Sequence, residues 1–156
     1  MKRKSKLNYK EVFFLVGFLI SLSGIAQKGK KDKYLNDIAK KIGFRGKQAV
    51  FTEGSLDAMK EMLLYIKNND KYYLLECHTS SDGRKEENQE LTDEIAGMIE
   101  RILINLGLDS SRFTVIGKGE LFLCCFSPTR AGRYKNRRVE IKEISEEELI
   151  KLKNSK

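Results

Sequence analysis

Apolar residues recur along this chain with two periods, and the alternation between them outlines a fold. Tyr34, Leu35, Ile38, Ala39 and Ile42 follow helical spacing, so residues 33–42 predict a short amphipathic helix that Gly43 and Gly46 terminate. Residues 48–51 form a short apolar strand candidate. After Gly54 and Ser55, the set Leu56, Met59, Met62, Leu63 and Ile66 predicts a helix with one buried stripe, which Asn68, Asn69 and Asp70 end. The aromatic and aliphatic run 72–77 reads as a strand. A polar loop at 79–87 leads into the strongest helix, about 87–106, with Leu91, Ile95, Met98, Ile99, Ile102, Leu103 and Leu106 on its apolar side and Gly107 at the C′ position.

Residues 112–116 read as the next strand and 117–135 as a long loop. A last strand at 138–142 puts Val139 and Ile141 on one face. Ser145 and Glu148 form a capping box that starts a C-terminal helix through about 152. The expected fold is α+β: a small mixed sheet of about four strands in βαβαβ-β order, with helices on one face. The expected domains are 1–26 as a leader, 27–47 as a linker with a short helix, 48–142 as the folded unit and 143–156 as a helical tail.

Before that unit lies a different composition. Lys2, Arg3, Lys4, Lys6 and Lys10 precede an apolar run of about 15 residues that closes on Gly24, Ile25 and Ala26, the order of a secretory signal. The run is shorter than the roughly 20 residues a bilayer span requires. Cleavage after Ala26 makes the protein exported; retention of the run would make it a signal-anchor, and membrane contact is expected only through such an uncleaved leader. Lysines at 28, 30, 31 and 33 weaken the charge asymmetry that export prefers.

The net charge of +8 in 156 residues is split between this leader and the rest. The remainder is only mildly basic and lacks a basic stripe with interleaved aromatics, so nucleic acid is not an expected partner. Cys77, Cys124 and Cys125 would meet an oxidising compartment. Two readings stay open: a disulfide from Cys77 to Cys124 or Cys125, or three small buried hydrophobes.

Chemistry-bearing residues cluster late in the chain. The run Cys77, His78, Thr79, Ser80, Ser81, Asp82 and Gly83 is followed by Asn88, Leu91 and Thr92, then by Gly117, Lys118, Gly119 and Glu120, and finally by Asn136, Arg137, Arg138, Val139, Glu140 and Ile141. In that order and spacing the chain resembles the peptidoglycan-binding domain at the C-terminus of OmpA-like outer-membrane proteins, over about residues 48–142. The resemblance implies an envelope protein of the periplasm, associated with the outer membrane and non-enzymatic. Its ligand would be the stem peptide of peptidoglycan, whose diaminopimelate side chain such domains grip between an Asp and an Arg. A zwitterionic end needs one anion and one cation at fixed separation.

Residue by residue, this chain departs from that pattern at the grip itself. The Gly of the family's Gly-His-Thr-Asp is Cys77, its Asp is Ser80, and the helix Arg is Ile95. Losing a charge-assisted contact costs about 1.5–3 kcal/mol, so binding weakened by about two orders of magnitude or more is expected. Asp82 and Arg84 are charged residues close enough in sequence to substitute. The expected ligand-binding set is therefore Thr79, Ser80, Asp82, Asn88 and Arg137. The alternative is a protein-protein interaction module that has lost peptidoglycan binding, using the apolar run 121–126 against an envelope protein.

Catalysis and cofactors are not expected. Cys77 and His78 are strand neighbours whose side chains point to opposite faces. The spacing of Cys77, His78, Cys124 and Cys125 fits no ordinary metal motif. Gly83, Gly117, Gly119 and Gly132 read as turn glycines, and Asn88 as a helix cap.

Overall fold

A computed structural model describes residues 32–156; the expected leader and the start of the lysine-rich segment lie outside the described residues. The elements are α1 (Lys33–Ala39), α2 (Ser55–Lys67), β1 (Tyr72–His78), α3 (Lys85–Asn105), a single 3-10 turn (Ser110–Arg112), β2 (Phe113–Gly117), α4 (Arg130–Asn136), β3 (Arg138–Ile144) and α5 (Glu146–Asn154).

Three strands form one sheet in the order β2-β1-β3. β1 runs parallel to β2, with Leu75 opposite Val115, and antiparallel to β3, with Glu76 opposite Glu140. A parallel pair requires a crossover, and α3 supplies it. The sheet thus has one strand fewer than the sequence predicts. Residues 48–51 contribute an isolated bridge from Phe51 to Phe44 instead of a ladder. The outer edge of β3 is met at Ile141 by α1: the Asn36 side chain donates to the Ile141 carbonyl at 2.8 Å and accepts from its N–H at 3.2 Å. At that residue a side-chain amide bonds the edge groups a neighbouring strand would otherwise pair.

That contact also changes the status of α1. Leu35, Ile38, Ala39 and Ile42 are buried with α2 and the sheet, so the short helix expected within the 27–47 linker packs into the core. Asp32 caps the helix, accepting from the Leu35 N–H at 3.0 Å. The same carboxylate accepts from the Tyr65 hydroxyl at 2.6 Å, which, with the backbone bond, holds its pKa below the ordinary value.

The strand period of two divides the sheet cleanly. Tyr73, Leu75 and Cys77 face α2 and α3 together with Phe113, Val115, Val139 and Ile141. Leu74 and Ile144 face the other way, where Leu149 of α5 covers them. Helices therefore lie on both faces, because the C-terminal tail docks rather than trailing. Helix α3 lays Leu91, Ile95, Ile99 and Leu103 along one stripe at successive turns. It closes in a Schellman arrangement, with the Leu108 N–H on the Leu103 carbonyl and Gly107 at φ +88. The predicted loop 117–135 also gains structure at its end, where Thr129 accepts from the Gly132 N–H and starts α4.

Candidate functional site

The loops at one end of the sheet are tied together by a polar scaffold. β1 ends at His78, and the Thr79 N–H continues onto the Gly119 carbonyl at 2.9 Å. Asn88, buried on α3, donates to the Glu120 carboxylate at 2.7 Å. Thr92, one turn later, accepts from the Gly119 N–H at 2.9 Å. Asn88 is thus a bridge between α3 and the 117–120 turn; the helix is capped at Arg84 instead, whose N–H meets the Glu87 carboxylate. Gly117 is more than a turn glycine. A Cβ there would collide with Asp93 and the Thr92 backbone, so β2 and α3 approach this closely only because the position has no side chain.

Farther along, Asn136 clamps the chain at two consecutive residues. Its side-chain oxygen accepts from the N–H groups of Cys124 and Cys125 at 2.9 and 3.1 Å, and its amide donates to the Cys125 carbonyl at 2.9 Å. Gly132 must also lack a Cβ, which would run into the Phe126 carbonyl. Sequence reasoning matched Asn136 to the family pattern but gave it no role. Its three bonds to one dipeptide become visible only when α4 folds back.

The positions that correspond to the family's grip are closed. Ser80 is 2% exposed and Ile95 is fully buried in the core. Thr79 is buried as well, while Asp82 is exposed. Arg84, the other expected substitute, is engaged with Glu87 at 2.8 Å on the surface. The described open space lies elsewhere. A cavity of about 700 Å³ is bordered by Lys40, Lys41, Gly43, Phe44, Arg45, Thr52 and Glu53 on one side and by Cys124, Cys125, Tyr134, Lys135, Arg137, Arg138 and Glu140 on the other. Of the five predicted site residues, only Arg137 borders it. Thr79, Ser80, Asp82 and Asn88 do not, and neither does Ile95. Six cations and two carboxylates border the cavity; Lys40 pairs with Asp37, Lys41 with Glu61 and Arg138 with Glu140, so its positive field comes chiefly from Arg45, Lys135 and Arg137. Arg137 stands out chemically: its Nε is buried and has no hydrogen-bond partner. A buried donor left unmade is costly, which favours an acceptor from outside.

Behind the cavity, His78 and Glu76 of β1 face β3 residues Arg138 and Glu140 across the sheet. The Leu121 carbonyl lies 3.2 Å from His78 Nδ1, which makes Nδ1 the protonated nitrogen and leaves the buried Nε2 without a partner. Burial, then the Arg138 charge, lowers the His78 pKa from its ordinary value, so the ring is neutral at pH 7. Ligand atoms of Glu76, His78 and Glu140 lie within 4.8 Å of one another, close enough to share a metal ion. However, Lys118 and Lys142 already pair with Glu76, and Arg138 with Glu140, so two carboxylates meet three cations before any metal arrives.

Of the two readings left open for the cysteines, the structure has no disulfide: Cys77, Cys124 and Cys125 are free. Cys77 faces the helix side of the sheet and is fully buried, which pushes its thiol pKa far up. Cys124 is exposed on the cavity side, with its Sγ 3.0 Å from that of Cys125. Cys77 therefore fits the buried-hydrophobe reading; the vicinal pair does not.

A parallel pair bridged by α3, an antiparallel third strand and a loop scaffold built on Asn88, Gly117, Gly119 and Asn136 define the OmpA-like class of α+β domains. Residues 43–137 match the OmpA family, and the chain belongs to it. Over 63 residues it is 40% identical to outer membrane porin F of Pseudomonas fluorescens, a stretch that is 40% of this chain and 19% of that relative. Among solved structures it is similar to the peptidoglycan-associated lipoprotein of Burkholderia pseudomallei, with TM-score 0.61 at 18% identity over 66% of this chain and 88% of the other. It is similar also to the C-terminal domain of Helicobacter pylori MotB, with TM-score 0.61 at 16% identity over 73% and 91%. At such identities these two likenesses show the fold. The chain spans only a small part of the length of the curated relative.

Proposed function

We propose that this chain is a non-catalytic, exported module of the cell envelope that holds the stem peptide of peptidoglycan with an altered and weakened grip. Membership of the OmpA family and likeness to a peptidoglycan-associated lipoprotein support the ligand class. The altered grip is supported by the burial of Ser80 and Ile95, which present neither anion nor cation to a ligand. The observation that carries the reading for this chain is the cationic cavity with the unpartnered Nε of Arg137. In this reading Arg137 receives a stem-peptide carboxylate, and Lys135 and Arg45 raise its local concentration. Binding then depends on one charge-assisted anchor in place of a matched pair, which lowers both affinity and selectivity for the zwitterionic end.

Co-sedimentation of the protein with purified sacculi tests this. Retention should be measurable, should fall with added salt, and should be reduced about tenfold by Arg137→Gln, the loss of one such contact. If wild-type protein is not retained at low salt, the cell-wall reading fails, and co-purification of an envelope protein would then favour the interaction-module alternative. Fractionation of the expressing cell should find the chain in the periplasm with the outer membrane.

A further inference from the structure

Residues 121–126 present large apolar side chains to solvent. Phe122 and Phe126 are 72% and 73% exposed, and Leu121 and Leu123 are 46% and 43% exposed. The loop that carries them is held, not loose. Asn136 fixes the Cys124 and Cys125 backbone, Arg138 donates to the Phe122 carbonyl at 3.1 Å, and Thr129 donates to the Phe126 carbonyl at 3.0 Å. Phe122 is the one described non-glycine residue with positive φ, at +65. An L-residue adopts that conformation only when its surroundings impose it. Here the imposed turn leaves an aromatic ring in water. Exposed apolar surface of this extent marks a contact site.

The charge around it identifies the contact. Between 118 and 138 there are six Lys/Arg residues and one acid; Lys118 and Arg138 pair with Glu76 and Glu140 and Arg137 lines the cavity, so the collar of the loop is Arg130, Arg133 and Lys135. That acid, Glu120, is engaged by Asn88 on the α3 side. Several cations are structurally tied to the loop: Arg133 donates to the Ser127 and Pro128 carbonyls, and Arg138 to that of Phe122. An aromatic and aliphatic tip collared by cations matches a bilayer surface at two depths: acyl chains for the tip, anionic headgroups for the collar. A protein partner would have to supply both an apolar recess and a ring of acids.

We propose that residues 121–126 form a membrane-docking loop that inserts its phenylalanines and leucines into the surface of an anionic bilayer. The inference does not depend on how the cavity binds its ligand. It adds a contact beyond the leader, where the sequence places all membrane contact.

The chain contains no tryptophan, so a single introduced indole reports its own surroundings. The full chain carrying Phe126→Trp is mixed with vesicles of phosphatidylethanolamine and phosphatidylglycerol in equal parts. The indole emission should shift to the blue and be quenched by brominated acyl chains, with little change on phosphatidylcholine vesicles. Leu64→Trp, on the exposed side of α2 at a position 63% exposed, should not shift. Phe122→Ser combined with Phe126→Ser should cut partitioning by about tenfold or more, judged against unchanged circular dichroism. Unshifted emission from Phe126→Trp overturns the proposal, even if the protein sediments with vesicles through its leader. Equal shifts from both indoles overturn it too, as would a shift induced by envelope protein extract and not by lipid. Sacculus retention is read separately, so a lipid failure leaves the cell-wall proposal standing.

Discussion

Two regions at the same end of the sheet have gone opposite ways. Where β1 passes into α3, the positions that carry charge in the family are sealed: Ser80 is buried, Ile95 lies in the core, and Thr92, Asn88 and Gly119 close the polar bonds among themselves. In the segment between β2 and β3, the chain is open. It borders a cavity of about 700 Å³, leaves the Arg137 Nε unpartnered and exposes two phenylalanines. Each region rests on its own buried asparagine and close-packed glycine, Asn88 with Gly117 on the sealed side and Asn136 with Gly132 on the open one. The difference teaches that a fold can be kept by backbone-directed bonds while the open, charged surface lies on a neighbouring loop.

The strongest way to break that comparison is to reopen the sealed side. Ser80→Asp with Ile95→Arg reinstates the family's charges, but Ile95 is surrounded by α3's apolar stripe and the sheet. An unpaired guanidinium there should cost about 4 kcal/mol or more, so urea denaturation should show a collapsed midpoint. A stable double variant with increased sacculus binding would mean that position 95 borders a usable cleft after all.

Next in size is the open side's hinge. Asn136→Ala removes three bonds from the Cys124–Cys125 backbone and should cost about 2–3 kcal/mol. Sacculus retention should fall with it at a temperature where the variant is still folded. Arg137→Gln, in contrast, should leave the denaturation midpoint within about 0.5 kcal/mol of wild type while weakening retention. That split would place Arg137 in binding and Asn136 in structure.

A pH series sharpens the same boundary. His78 has a folded pKa below its unfolded value, because burial and Arg138 disfavour the imidazolium. Below about pH 6.5 the unfolded chain binds a proton that the folded chain refuses, so stability should decline as pH falls through that range and be restored as it rises. His78→Gln should flatten this part of the curve in thermal melts. The smallest effect is expected from Asp82→Asn, an exposed residue off the cavity. Stability and sacculus retention should stay within error, and a clear loss of retention would return the ligand to the 79–87 loop.

Much of the fold was legible along the chain. The helical spacing of Leu91, Ile95, Ile99 and Leu103, the αL glycine at 107 and the alternation in 138–144 each reflect a local rule, and local rules leave their period in the sequence. The motif order placed the family correctly, and Cys77 and His78 face opposite sides of β1 as their adjacency requires. Less legible was α1, whose Asn36 bonds the β3 edge at Ile141. Nothing near residue 36 announces a partner 105 positions away. The choice between a disulfide and buried thiols stayed open for the same kind of reason, since which face of β1 a thiol occupies is readable but what covers that face is not.

The sequence by itself determined the element types, the family and the residues at positions 80 and 95, because periodicity and residue identity are properties of the chain. Tertiary structure alone decided that Ile95 is core rather than cleft, and that Arg137 meets Lys40, Lys41 and Arg45 around a common hollow. It also decided that Phe122 and Phe126 face water. Burial and electric field are sums over residues distant in the chain, so they exist only once the backbone has brought those residues together.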